Sequence, residues 1–300
     1  MSNRGSKSFL NLFLWYDTFG DIMKHCEFEK EEKYKLFRSV KELLHPTISK
    51  KNISDYKIII EEELLPVRVF YPKRVSQLDK MIIYFHGECK ITNCKGKYSE
   101  ISSDMAKELD RMVLSIDYED ENDLESIYND VYKTFYYIYN KLIDAQISKE
   151  NICLMADSTG ASMLLSVYNK LREEKCDIGE VILFYPVLSG EYFGKTKYKS
   201  IVENNTIDHD LIKKLKNYYK KKNEGNVNVF PYIGNNINIS KGLVIVGGVD
   251  PLIDEAKEFA EKTNSDIQVI TFANHGFLGS KDNEIMKEYY FKLHEFLEEE

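Results

Sequence analysis

The chain has 300 residues, 43% of them hydrophobic, which is enough to bury a sizeable core in a single α/β domain. Its formal net charge is −8 at pH 7, and an acidic surface repels phosphate backbones, so a nucleic acid is not an expected partner. The five cysteines show no regular spacing, which argues against a disulfide framework and predicts a reduced, cytoplasmic protein.

The first predicted elements are one or two amphipathic helices over residues 9–45, ending near Pro46. The apolar run at 9–16 is short, contains Asn11 and has no small-residue cleavage site after it. We therefore expect a helix that packs on the body of the protein rather than a signal peptide. No run of about 18 apolar residues exists, so no membrane span is expected.

From residue 56 onwards, strand patterns alternate with helix patterns. Segments 56–63 and 67–72 predict a pair of short strands joined by a turn. Strands that are apolar throughout and alternate with helices favour a mainly parallel sheet covered by helices on both sides. The further strands are predicted at 81–86, 112–118, 151–156, 180–187, 242–248 and 266–273, and the helices at 99–109, 127–142, 161–171, 254–263 and 283–298.

Residues 191–240 interrupt this alternation. They are polar and rich in Tyr, Lys and Asn, with helical character around 207–222. We expect this segment to form a lid together with the N-terminal helices. The predicted organisation is one α/β domain over residues 1–300, with cap elements at about 1–50 and 190–230.

The segment CLMADSTGASMLL, residues 153–165, carries the strongest chemical signal. A strand runs directly into a helix through Ser158, which is the context of the nucleophile elbow with its G-x-S-x-G pattern. The sharp turn needs small residues two positions either side of the serine, and Ala156 and Gly160 stand there. A serine that merely caps the helix would be the simpler explanation, so partner residues must decide.

The partner residues follow in the order that this elbow requires. A nucleophilic serine needs a base, and the base needs an acid that orients it, in the chain order Ser, Asp or Glu, His. Asp250 follows the strand at 242–248, and His275 follows the strand at 266–273. Asp254, one helical turn further on, is the rival acid. We predict Ser158, Asp250 and His275 as the catalytic residues.

With these residues in place, the chain resembles the α/β-hydrolases of the hormone-sensitive-lipase-like group (α/β-hydrolase fold 3), carboxylesterases with H-G-G-G and G-D-S-A-G motifs. The resemblance covers about residues 56–297. It implies an eight-stranded sheet, a helical cap and hydrolysis of short-acyl esters. The matching motifs are His86-Gly87, Asp117-Tyr118, Asp157-Ser158 with Gly160, Tyr185-Pro186-Val187, Asp250-Pro251-Leu252 with Asp254-Glu255, and His275-Gly276-Phe277.

The sequence departs from that group at four places. Ala156 replaces the elbow glycine, Thr159 replaces the alanine after the serine, and the loop after Tyr118 is shorter. The glycine-rich oxyanion loop reads Gly87-Glu88-Cys89 after His86.

By resemblance, the oxyanion hole would consist of the backbone N–H groups of Gly87, Glu88, Cys89 and Thr159. Every residue except proline has such a group, so the substitutions can be tolerated in principle. An inward-pointing Glu88 carboxylate about 4 Å from an oxyanion would nevertheless oppose it by on the order of 4 kcal/mol at intermediate dielectric.

The sequence thus predicts a serine hydrolase, specifically a carboxylesterase that acts on a small-molecule ester and needs neither cofactor nor metal. Two alternatives stay open: an amidase, formamidase or peptidase on the same triad, and a ligand-binding protein with weakened catalysis. Cys89 and Cys94 could pair or bind a metal, but no second Cys/His pair with zinc spacing lies nearby. A homodimer is also left open.

Overall fold

The computed structural model describes residues 56–58, 65, 67–70, 72, 80–87, 95–118, 124–144, 147–173, 178–188 and 239–298. The predicted helices at 9–45, the predicted lid at 191–240, and both Glu88 and Cys89 lie outside the described residues.

The described strands form one eight-stranded sheet in the order β1-β2-β4-β3-β5-β6-β7-β8. The pairs β1–β2 and β2–β4 are antiparallel, and all the others are parallel. The predicted mainly parallel sheet, with its opening pair of short strands, is therefore confirmed. The strands are β1 (Tyr56–Ile58), β2 (Val67–Phe70), β3 (Met81–Phe85), β4 (Met112–Ile116), β5 (Ile152–Asp157), β6 (Glu180–Phe184), β7 (Gly242–Gly247) and β8 (Asp266–Ile270).

The centre of the sheet is buried on both faces. Every residue of β3 to β7 is buried, as the continuous apolar runs in the sequence predict. At the edge of the sheet, β8 buries only Ile270. The flanking helices are α1 (Lys95–Glu108), α2 (Leu124–Asp144), α3 (Thr159–Glu173), α4 (Ile253–Thr263) and α5 (Asn283–Glu298), with a short 3₁₀ helix at Lys149–Asn151.

Helix α2 shows why the periodic pattern was informative. Its apolar residues recur every three or four positions, so they share one face of the helix. The five residues that form this pattern are all buried in the core: Ile127, Val131, Phe135, Ile138 and Leu142.

Several element boundaries differ from the prediction. Helix α1 begins at Lys95, four residues before the predicted start. The prediction began too late because Gly96 has a low helix propensity, which weakens the helix signal in the sequence there. Strand β6 ends at Phe184, three residues before the predicted end, because Tyr185 adopts a positive φ of 35° that breaks the extended backbone. The end of β6 therefore turns early into the loop that faces the elbow.

A buried ion cluster closes the amino ends of the strands. Arg111 lies 3.5 Å from Glu180 and donates a hydrogen bond of 3.1 Å to the backbone carbonyl of Leu297 in α5. Lys241 lies 3.1 Å from the other oxygen of Glu180. This cluster fastens α5 to the sheet at the edge opposite to Ser158, so it has a structural role.

Candidate active site

The three predicted catalytic residues come from three strand ends. Ser158 follows β5, Asp250 follows β7, and His275 follows β8. Since these strands are parallel, their carboxyl ends meet at one edge of the sheet, where open α/β sheets hold their ligands. Parallel pairing through β6 keeps the three ends aligned.

Ser158 lies in a strained turn between β5 and α3. Its φ is +50°, a left-handed conformation that is uncommon for a residue with a side chain and that recurs at functional sites. The turn is fixed from both sides by neighbouring backbone. The N–H of Ser158 donates to the carbonyl of Phe184 at 3.0 Å, and the N–H of Val187 donates to the carbonyl of Ser158 at 3.0 Å.

The small residues of the elbow have different tolerances. A Cβ added to Gly160 would lie 2.2 Å from the carbonyl oxygen of Phe85, so this position admits only glycine. Ala156 is fully buried within β5, between Phe85 and Leu183 on the neighbouring strands. Its methyl group is accommodated there, so the departure from the usual glycine leaves the elbow intact.

The structure brings Ser158, His275 and Asp250 into one hydrogen-bonded chain. The Oγ atom of Ser158 lies 3.0 Å from Nε2 of His275. Nδ1 of the same ring lies 2.9 Å from Oδ2 of Asp250. The other Asp250 oxygen accepts a bond of 2.8 Å from the N–H of Leu252, which fixes the carboxylate. With Nδ1 donating to the carboxylate, Nε2 is free to accept the serine proton.

The rival acid Asp254 does not take this place. It lies half-buried in the first turn of α4, whereas the carboxylate of Asp250 has no exposed surface and contacts the histidine directly.

The electrostatics of the site suit a basic histidine. Burial lowers the pKa of His275, but the charge of Asp250, its hydrogen bond and the charge of Asp157 outweigh this, so the net pKa is raised. Lys97 opposes the rise through its positive charge, and its Nζ donates a 3.2 Å hydrogen bond to the carbonyl of Gly276.

The oxyanion side requires one correction. Gly87 lies close to Ser158, since an added Cβ would be 3.2 Å from Cβ of that residue. Its N–H, however, donates a 2.7 Å hydrogen bond to Oδ1 of Asp157 and is not available to an oxyanion. Of the four predicted donors, Gly87 is thus excluded by its existing partner. Thr159 directly follows Ser158 and is the first residue of α3.

Sequence reasoning missed the tyrosines around Asp157. Tyr84, Tyr98 and Tyr185 all direct their hydroxyl groups to this buried carboxylate. Tyr185 belongs to the matching motif Tyr185-Pro186-Val187, but nothing in the sequence connects it, Tyr84 or Tyr98 with Asp157. The available signal was the carboxylate of Asp157 next to Ser158, at the end of an apolar strand.

The described residues contain neither a cluster of metal-binding side chains nor a membrane-spanning helix. None of their His, Cys, Asp and Glu side chains form a group of three or more that could hold a metal ion. Within the same residues, no helix combines the length and the hydrophobicity that crossing a membrane requires.

A family model described as the alpha/beta hydrolase fold matches residues 82–277. The chain therefore belongs to the α/β-hydrolase family, and the resemblance to its hormone-sensitive-lipase-like group is confirmed. Among curated proteins, neutral cholesterol ester hydrolase 1 of Pongo abelii is 26% identical over 166 residues. That match covers 51% of this chain and 41% of the relative, so the two share less than half of the relative's length.

Solved structures share the fold at low sequence identity. An esterase from the bacterial hormone-sensitive lipase family is 14% identical with a TM-score of 0.66, and the match covers 91% of this chain and 98% of that one. A hyperthermophilic esterase from the archaeon Pyrobaculum calidifontis is 18% identical with a TM-score of 0.66, covering 89% and 91%. The predicted fold class is confirmed.

Proposed function

We propose that the protein is a serine carboxylesterase that hydrolyses short-acyl esters through an acyl-enzyme. The observation that carries this proposal is the hydrogen-bonded chain from Asp250 through His275 to Ser158, with the serine on a strained elbow. Such an arrangement of nucleophile, base and orienting acid is the recurring machinery of acyl transfer.

The first half of the reaction forms the acyl-enzyme. Nε2 of His275 takes the proton of Ser158 Oγ while Oγ attacks the ester carbonyl carbon. Asp250 stabilises the imidazolium that results. As the tetrahedral intermediate collapses, the carbon–oxygen bond to the alcohol breaks, and His275 returns the proton to the leaving alkoxide.

The second half regenerates the enzyme. His275 takes a proton from a water molecule, the hydroxide attacks the acyl carbon, and Ser158 leaves with that proton. The N–H groups of Thr159, Glu88 and Cys89 are the proposed donors to the oxyanion in both halves. No metal or organic cofactor takes part in the proposed steps.

The names of similar proteins support an ester as substrate. The curated relative is named a neutral cholesterol ester hydrolase, and several structures of the same fold are titled esterases. We favour esters over amides on this ground, because the triad itself serves both leaving groups. The region at about 190–230 and the N-terminal segment are the proposed cap over the acyl site.

The decisive experiment is active-site labelling with a fluorophosphonate, comparing the wild type with Ser158→Ala. We expect a covalent adduct on Ser158 and a fall in p-nitrophenyl acetate hydrolysis of at least about 10⁴-fold in the variant. An adduct that survives in Ser158→Ala would contradict the assignment. The rates of hydrolysis of a p-nitrophenyl ester and a p-nitroanilide with the same acyl group then distinguish an esterase from an amidase.

A further inference from the structure

Asp157, the residue before the nucleophile, is a buried carboxylate to which the proposed reaction assigns no step. Only 1% of its surface is exposed. Burying a charge is costly unless it is fully hydrogen-bonded. The hydrogen-bond donors that offset this cost come from separate parts of the fold. Their positions indicate the role of the carboxylate.

Four donors converge on Asp157. Oδ1 accepts from the hydroxyl of Tyr84 at 2.6 Å and from the N–H of Gly87 at 2.7 Å. Oδ2 accepts from the hydroxyls of Tyr98 and Tyr185, each at 3.2 Å. An ionised carboxylate offers acceptors only, so it matches a shell made entirely of donors. A neutral acid or an amide would place a donor against these donors.

The hydroxyl groups of Tyr84 and Tyr185 are kept protonated by their surroundings, so that they can donate hydrogen bonds. Burial raises the pKa of Tyr84, and the negative charge of Asp157 raises it further. The same two causes raise the pKa of Tyr185. Their hydroxyl groups therefore stay protonated at physiological pH and donate to the carboxylate.

Two of the four donors bracket the segment 88–94. Gly87 is the residue before that segment, and Tyr98 lies in α1, which begins at Lys95 directly after it. Both are bound to a single side chain whose neighbour in the chain is Ser158. The two ends of the segment that carries Glu88 and Cys89 are thus tied to the nucleophile through one carboxylate.

The residues at the start of this segment are fixed by further contacts. Nδ1 of His86 lies 2.8 Å from the carbonyl of Gly87, to which it donates. The imidazole stacks between Tyr98 and Tyr118, with ring centroids 4.9 and 4.3 Å away. The hydroxyl of Tyr118 donates to the carbonyl of His86. Asp157 supplies the remaining constraint, on the N–H of Gly87.

We infer that Asp157 is a positioning residue, which holds Gly87 and Tyr98, on either side of segment 88–94, in fixed positions beside Ser158. This inference rests on the proposed esterase function. Preorganised donors stabilise a developing oxyanion only when their positions are fixed before the reaction. Asp157 fixes the two flanking residues, Gly87 and Tyr98, and is not itself one of the proposed oxyanion donors.

Asp157→Asn tests the role with little change in shape. We expect kcat for p-nitrophenyl acetate, measured at the alkaline plateau of the pH profile, to fall about 10- to 100-fold, with KM changed less than about twofold. The affinity for a trifluoromethyl ketone, whose adduct carries an oxyanion, should fall by a similar factor to kcat. Tyr98→Phe removes only the bond at the far end of the segment and should reduce kcat by a smaller factor.

Glu180→Gln is the matched control, because Glu180 is another buried carboxylate with charged partners, at the opposite edge of the sheet. It should lower Tm while leaving kcat unchanged. Hydrogen–deuterium exchange over residues 84–98 gives a readout that does not need catalysis. We expect faster exchange there in Asp157→Asn and Tyr98→Phe. In Glu180→Gln the exchange rate over these residues should equal that of the wild type.

These readouts separate the two proposals. A wild type that hydrolyses no ester rejects the esterase proposal, and exchange over residues 84–98 then decides the role of Asp157 alone. Unchanged exchange in Asp157→Asn overturns the positioning role, as does an unchanged kcat when the wild type is an active esterase. If Asp157→Asn does not fold, the same two criteria are applied to Tyr98→Phe.

Discussion

The Nε2 atom of His275 lies 3.0 Å from the Oγ atom of Ser158, although 117 positions separate the two residues. The sheet creates this proximity, because the two residues follow strands whose register is fixed by β6 and β7 between them. Asp250, at the end of β7, then orients the histidine ring. The hydrogen-bonded chain of Ser158, His275 and Asp250 therefore depends on the parallel pairing from β5 to β8.

Asp250→Asn should lower kcat by about 10⁴-fold without unfolding the protein, because the amide can stabilise the wrong tautomer of His275. The measurement is steady-state hydrolysis of p-nitrophenyl acetate, with circular dichroism to check the fold. Asp254→Asn is the control and should keep wild-type kcat. The assignment of the acid is wrong if the effects of the two variants are reversed.

The pH profile should reflect the raised pKa of His275. A protonated imidazole cannot accept the serine proton, so kcat/KM rises as pH increases through this pKa. Because Asp250 and Asp157 raise the pKa above the ordinary histidine value despite burial, the acid limb should lie above that value. Profiles of kcat/KM on a neutral ester would show this directly, and an acid limb below the ordinary value would contradict the electrostatic account.

Lys97→Met should move the same acid limb to higher pH. The positive charge of Lys97 lowers the pKa of His275, against the effect of Asp250 and Asp157. Removing this charge should therefore raise the pKa of His275 further. Added salt should reduce the difference between the variant and the wild type, since Lys97 is exposed to solvent. Lys107→Met, on the same helix, is the matched control and should leave the limb in place. Equal profiles for Lys97→Met and wild type would exclude a direct effect of this cation.

Gly160→Ala should destabilise the elbow, whereas Ala156→Gly should be tolerated. The new Cβ at position 160 would lie 2.2 Å from the carbonyl oxygen of Phe85, so backbone must shift, at a cost of about 1–3 kcal/mol. Removing the methyl of Ala156 from a buried strand should cost about 0.5–1 kcal/mol. Urea denaturation would measure both. Similar losses in the two variants would show that the close approach at Gly160 is relieved cheaply.

The sequence was sufficient to predict the fold and to single out Ser158, Asp250 and His275 as candidates, because the signals for both are local. Each of Ser158, Asp250 and His275 follows an apolar run that ends in a turn, so chain order and strand ends alone indicated their meeting point. Asp254 was a rival only because one helical turn separates it from Asp250. Tertiary structure was needed to show which of the two carboxylates contacts the ring.

The surroundings of Gly87 could not be read in the same way. Its position in the motif marked it as an oxyanion donor, but its N–H is bonded to Asp157, 70 positions away. Hydrogen-bond partners of this kind depend on the three-dimensional packing of β3, α1 and the end of β6. The sequence shows that Gly87 has a backbone N–H group, but only the structure shows which acceptor this group contacts.

Glu88→Gly should raise kcat, and Glu88→Gln should show whether charge is the reason. A carboxylate near the oxyanion opposes its negative charge by up to about 4 kcal/mol at 4 Å, and solvent reduces this value. We therefore expect about a tenfold gain in kcat on p-nitrophenyl acetate for Glu88→Gly. Glu88→Gln keeps the side-chain volume and removes the charge. If both variants gain equally, repulsion is the cause, and if only Glu88→Gly gains, the side chain narrows the pocket. Turnover no higher than wild type in both variants would mean that Glu88 does not impede the oxyanion hole.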